Sequence, residues 1–316
     1  MATVILSGGA DALGTRVRSR LAAERHEVIA VDEGERASEL KARVEGATKL
    51  VHLAGGLEET RAVLEAASAV GVAHVVLLSS ATVYGAWPAN PVPLTEDATV
   101  RPNPELDFAV RAAERERLAA EWKLEHPATS VVLLRPAVPV AEEAQGWLAE
   151  GLRVAATIRI DTVDDPPVQY VHLDDLADAV VLAVDADLDG PLNVAPDGWI
   201  AGEQLRALAG GPRVRLPEQL ARRLTRLRSK LGPAAAHPGL APYTTHSWVV
   251  ANDRIRAAGW SPAWSNEEAF VAGHEPAPWA TITPQRRQEL ALGALVVAVL
   301  AAVAGGVALV RRRHRG

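Results

Sequence analysis

The chain has 316 residues, 48% of them hydrophobic, and carries a formal net charge of -6. That is long enough for one large α/β unit or two modest domains with a real core. The mild acidity argues against nucleic acid as a main partner. The absence of cysteine excludes disulfides, thiolate nucleophiles and cysteine metal sites, and suits a reducing compartment. The nine histidines show no metal-ligand spacing such as HExxH, so they read as structural and no metal is expected.

The opening "MATVILSGG" lacks the basic, apolar and small-residue regions of a signal peptide and reads as a strand. Buried strands are expected at Thr3–Gly8, Glu27–Asp32, Lys49–Gly55, His74–Ser80 and Ser130–Pro136. Helical patterns fall between them, around Leu13–Glu24, Glu58–Val70 and Leu106–Glu125. Strands that are apolar throughout and separated by helices predict a parallel sheet covered on both faces. The fold class is therefore α/β, a Rossmann-like doubly wound sheet whose ligands bind beyond the carboxyl ends of the strands.

At the first strand-to-helix turn, "LSGGADALG" places Gly8 and Gly14 six residues apart with Asp11 between them. Such a turn, followed by a helix amino terminus, favours an anion. Asp32, at the end of the second strand, is placed to accept a ribose hydroxyl, which favours NAD over its phosphorylated form. Past Pro136 the pattern loosens. Val168–Val184 reads as a strand running into a helix, and Pro191–Pro196 as a short strand. A small lobe is expected mainly within 138–167 and 187–272, completing a domain over 1–272.

The segments "VHLAG" (Val51–Gly55), "SSATVYG" (Ser79–Gly85), "LLRPAV" (Leu133–Val138) and "VQYVHLDDLADAV" (Val168–Val180) resemble the extended short-chain dehydrogenase/reductase superfamily. Within it the chain is similar to the NAD-dependent epimerase/dehydratase family, which acts mainly on nucleotide sugars, over roughly Thr3 to Phe270. The resemblance implies an NAD site built from Gly8, Gly9, Asp11, Leu13, Gly14, Asp32, Leu53, Ala54, Gly55 and Ser79. It also implies a nucleotide-sugar-like ligand and a homodimer. Two departures stand out. The middle of the family's three glycines is Asp11, a carboxylate where pyrophosphate approaches the backbone, and only sixteen residues separate Asp32 from Lys49, where the family fits an edge strand.

The family's catalysis uses a serine or threonine, a tyrosine, and a lysine four residues after it. Ser80 matches the hydroxyl. Alignment of "ERERLAAEW" with the family pattern places Phe108 at the tyrosine and Ala112 at the lysine. Phenylalanine has no proton to exchange and alanine has no charge, so the usual acid–base route is closed. Phe108 then reads as a residue packing its helix on the sheet. Tyr84 is the remaining candidate hydroxyl near the cleft. His172, Asp174 and Asp175 suggest either a proton relay or, as the resemblance implies, a helix cap that pins a strand.

From Leu290 to Val310 the chain runs 21 residues without a charge, followed by "RRRHRG". At about 1.5 Å per residue this length spans a hydrocarbon core of roughly 30 Å. A transmembrane helix is expected over 290–310, preceded by a linker over 273–289 and followed by a basic tail over 311–316. Arg215–Leu231 reads as a basic amphipathic helix, either lying on an anionic lipid surface or packing its leucines inward. Positive-inside counting would put the tail in the cytoplasm. The folded domain has no visible export route, so it is expected to be cytoplasmic, with Trp279 near the interface. The sequence thus predicts a membrane-anchored epimerase/dehydratase relative that has lost its standard catalysis and binds a nucleotide-like ligand weakly or acts through a partner. An active NAD-dependent enzyme and a ligand-free scaffold are the alternatives.

Overall fold

The computed structural model describes residues 1–31, 43–144, 146–156, 158–160, 165–209, 214–216, 219 and 237–274. The strands are β1 (Thr3–Ser7), β2 (Glu27–Val31), β3 (Lys49–His52), β4 (His74–Leu78), β5 (Ser130–Pro136), β6 (Val138–Val140), β7 (Ile158–Ile160), β8 (Tyr170–His172), β9 (Gly190–Val194) and β10 (Val214–Leu216). The helices are α1 (Ala12–Ala23), α2 (Leu57–Val70), α3 (Asp107–Glu125), α4 (Trp147–Ala155), α5 (Leu173–Asp185), α6 (Gly202–Ala209), α7 (Asp253–Ala257) and α8 (Asn266–Ala272).

Six parallel strands form the main sheet in the order β2-β1-β3-β4-β5-β9. Side chains alternate across a strand, so each face has its own apolar set. Val4, Leu6, Val76, Val132 and Leu134 pack with Val17 and Leu21 of α1 and with Leu176 and Val180 of α5. Ile5, Val75, Leu77 and Val131 pack instead with Val63 and Leu64 of α2 and with Leu118 and Trp122 of α3. Each crossover helix covers one face, which leaves the carboxyl ends of the strands free to carry a site.

The strands and helices expected between Thr3 and Pro136 occur within three residues of their predicted ends. The lobe differs. β9, assigned to it by sequence, pairs with β5 at the sheet's edge, because Gly190–Val194 continues directly from the helix that packs on that face. The described residues within 1–208 and 214–274 belong to one compact unit. β6 and β8 make a separate two-stranded ladder, as do β7 and β10.

The expected helix over Arg215–Leu231 begins instead within β10, and nearly all of its remainder lies outside the described residues. Asp32, the linker beyond His274, Trp279 and the apolar segment 290–310 also lie outside them. Among the described residues no helix is long and apolar enough to cross a membrane.

Candidate active site

The turn from β1 to α1 is built by glycine. Gly8 has φ +70°, and a Cβ there would stand 2.5 Å from the Ala54 amide nitrogen. A Cβ on Gly14 would stand 2.3 Å from the Gly9 Cα. The backbone of this turn is thus drawn against the end of β3 as a dinucleotide cradle requires. Leu13 is buried in the core below it, as is Leu53. Asp11 is the N-cap of α1, and its Oδ1 accepts a hydrogen bond from the Gly14 amide at 2.8 Å. A carboxylate therefore sits where the helix amino end would otherwise meet a ligand's charge. The cradle fits the shape of a dinucleotide, and the Asp11 charge does not fit its pyrophosphate at this point.

The hydroxyls expected to do chemistry belong to a buried polar network. Ser79 Oγ donates to Glu116 Oε1 at 2.5 Å. Both Glu116 oxygens also accept from Arg135, from Nε at 3.0 Å and from Nη2 at 2.6 Å. Arg135 Nη1 donates to the Tyr84 hydroxyl at 2.8 Å, which in turn donates to Asn193 Oδ1 at 2.8 Å. The Asn193 amide ends the chain on Glu96 Oε1 at 3.0 Å. Tyr84 is 1% exposed, its ring lies beneath the Arg135 guanidinium, and burial raises its pKa above the ordinary value against the opposing pull of Arg135. It is a core group, not a hydroxyl facing a cleft. Ser80 caps the short 3-10 turn Ala81–Tyr84, where its Oγ accepts from the Thr82 amide and hydroxyl at 3.2 and 3.0 Å.

Phe108 lies in the first turn of α3 and is half-buried. Its ring meets that of Trp147, the first residue of α4, edge to face at 4.9 Å, and Trp147 is 51% exposed. Ala112, one turn on, is buried. Two hydrocarbon groups thus occupy the positions where the family's tyrosine and lysine are expected. His172 caps α5 by accepting the Asp174 amide at 3.2 Å, and Asp175 accepts the amides of Ala263 and Trp264 at 2.8 and 3.0 Å. These groups pin the strand–helix junction, and His172 Nε2 lies 3.3 Å from Glu142 Oε2.

Arg115 was not singled out by sequence. It lies three residues past Ala112, is 7% exposed, and donates from Nη1 to the Gly55 carbonyl at 3.3 Å. Nearby, His52 bridges Ser7 and Thr60 at 3.2 and 3.0 Å. Burial, and then the charge of Arg115, push His52 down to about 3, so it stays neutral. The readable signal was position alone: on a helix, i+3 from Ala112 shares its inward face.

The parallel order and the glycine turn define a Rossmann-like α/β domain. Residues 54–195 match the model of the NAD dependent epimerase/dehydratase family. Over these residues the chain is similar to that family. A 3-diazoavenalumate denitrifying reductase from a Streptomyces species is 32% identical over 219 residues, 65% of this chain and 66% of that protein. An uncharacterized protein of Mycobacterium tuberculosis is 29% identical over 214 residues, 64% of this chain; the chain spans about half (54%) of that relative's length. The fold is shared with the UDP-glucose-4-epimerase of Stenotrophomonas maltophila, solved with NAD, at TM-score 0.65 and 16% identity, covering 86% of this chain and 97% of the epimerase. It is shared as well with the dTDP-glucose 4,6-dehydratase of Bacillus anthracis, also solved with NAD, at TM-score 0.63 and 12% identity over 86% and 95% of the two chains.

Proposed function

We propose that this chain is a nucleotide-binding member of the epimerase/dehydratase family that works without the tyrosine–lysine proton-transfer route. It holds a nucleotide or nucleotide-sugar-like ligand weakly, or acts through a partner. The observation that carries this reading is the pair Phe108 and Ala112, a ring without an acidic proton and a buried methyl. General acid–base transfer contributes about 10²–10⁴ in rate, which these side chains cannot supply. Asp11 adds to the argument. A unit charge ~4 Å from a phosphate costs about 1 kcal/mol in water and ~4 at an effective dielectric of 20. The larger figure corresponds to roughly a thousandfold in affinity.

The test is calorimetric titration of the parent and of the triple variant D11G/F108Y/A112K with NAD, NADP and UDP-glucose. The variant is expected to bind NAD at least about tenfold more tightly than the parent. Equal, tight binding by both would sink the reading. We further propose that residues 290–310 anchor the chain in a membrane with the folded domain on the cytoplasmic side; the charge-free 21-residue run supports this.

A second reading, an NAD-dependent reductase, is favoured by the Streptomyces relative, whose name is that of a reductase. Hydride delivery has no inherent need of a tyrosine acid. Ligand-dependent oxidation of NADH would support this alternative over the first.

A further inference from the structure

Among the described residues, Arg115 holds a formal charge that no carboxylate contacts directly, Glu116 acting on it only at longer range. Its neighbour Glu116 spends both oxygens on Ser79 and Arg135. Among the described residues no carboxylate forms an ion pair with Arg115, and its one hydrogen bond is the Nη1 contact with the Gly55 carbonyl. A guanidinium offers five N–H donors and does not lose its proton in proteins. Burying it without a counter-charge is costly, and a structure keeps such a group where something else supplies the anion. The remaining donors are not sealed in. The fully enclosed side-chain atoms without a partner are, among the described residues, His74 Nδ1 and Ser247 Oγ. The unpaired N–H groups of Arg115 therefore reach solvent.

Its surroundings are those of a ligand edge. Gly55 follows β3 on the carboxyl side of the sheet, and Ala54 beside it is the residue against which Gly8 packs. Arg111, exposed one turn earlier on α3, adds a second positive charge close enough to depress the Arg115 pKa further, after burial and against Glu116. His52, on the inner side, is neutral. Arg115 and Arg111 thus place positive charge beside the turn between β3 and α2, where the Glu59 carboxylate is held by the Gly56 amide at 2.6 Å, while Asp11 places negative charge at the amino end of α1 with no cation paired to it among the described residues.

We propose that Arg115 is the anion-binding residue of this site, taking a phosphate group of the ligand at the β3–α2 turn in place of the α1 amino end that Asp11 closes. This rests on the nucleotide reading above and specifies where its charge is held. Arginine suits the task because its planar fork meets two phosphate oxygens at once.

The experiment uses the full chain and the variants R115M, R115Q and R115K, titrated with ADP, inorganic pyrophosphate and adenosine. R115M and R115Q are expected to lose about tenfold or more in affinity for ADP and pyrophosphate, R115K less, with adenosine unchanged. R115Q keeps a donor for Gly55 and removes only the charge. Without ligand, R115M is expected to melt at or above the parent temperature, since it deletes a buried charge that no carboxylate contacts. ADP binding equal in the parent and R115Q would overturn the proposal and leave the nucleotide reading intact. Pyrophosphate held through Arg115 with no nucleotide bound would do the reverse. Lower melting of both R115M and R115Q would also overturn it, by making the arginine a structural group.

Discussion

The Asp11 carboxylate and the Gly14 amide are joined at 2.8 Å, so the first helix is closed by the chain's own charge. Replacing Asp11 separates two effects. D11A removes the cap and is expected to cost about 1 kcal/mol of stability, whereas D11G costs only a few tenths, because glycine is tolerated at an N-cap. Both variants are expected to bind NAD more tightly than the parent. Chemical denaturation read beside calorimetry checks the two together; unchanged affinity in D11G would remove Asp11 from the account of weak binding.

Glu116 and Arg135, each 6% exposed as side chains, form the buried ion pair on which Ser79 and Tyr84 converge. Breaking it from one side strands a charge. Glu116→Gln is expected to lower stability by about 3–5 kcal/mol, while the double replacement E116L/R135M costs clearly less because neither charge is left behind. Urea unfolding of the parent and both variants measures the difference, and equal losses would show that the pair itself contributes little beyond its volume.

Stability is also expected to fall with acid. His52 is held down to about 3 by burial and Arg115, and His74 is lowered by burial and Lys49, from an ordinary value of 6.5. Below pH 6.5 the unfolded chain takes up protons that the folded chain refuses. The His52 contribution is thus complete above about 6.5 and is lost as pH drops toward 3, at about 1.4 kcal/mol per pH unit, and His74 acts in the same direction. His52→Gln is expected to flatten this slope by one proton; an unchanged slope would place the acid sensitivity elsewhere.

Removal of residues 290–316 is expected to move the protein from the membrane fraction to the soluble fraction of expressing cells without changing the melting temperature of the folded domain. Fractionation with an antibody to the domain reads this directly. A truncated chain that stays with the membranes would shift attention to the basic segment before it.

Much of the fold was legible because the strands are apolar on both faces and cannot be mistaken for amphipathic surface elements. Ser130–Pro136 was placed to the residue. β9 was misassigned to the lobe since a five-residue strand that contains Pro191 and is followed by Pro196 carries no mark of which sheet it joins. The losses at 108 and 112 were readable from residue type alone. The role of Tyr84 was not, because a hydroxyl serves chemistry or packing with the same letter, and only its contacts with Arg135 and Asn193 decide. Arg115 escaped for a similar reason: in a helix with several arginines, burial distinguishes it and sequence does not.

The polar chain from Ser79 to Asn193 ties α3, β4, β5 and β9 into one stiff rim that depends on neither position 108 nor position 112. Those two positions are therefore vacant posts on an intact scaffold, where evolution or a designer can install new reactivity by changing a helix face while leaving the architecture beneath it alone.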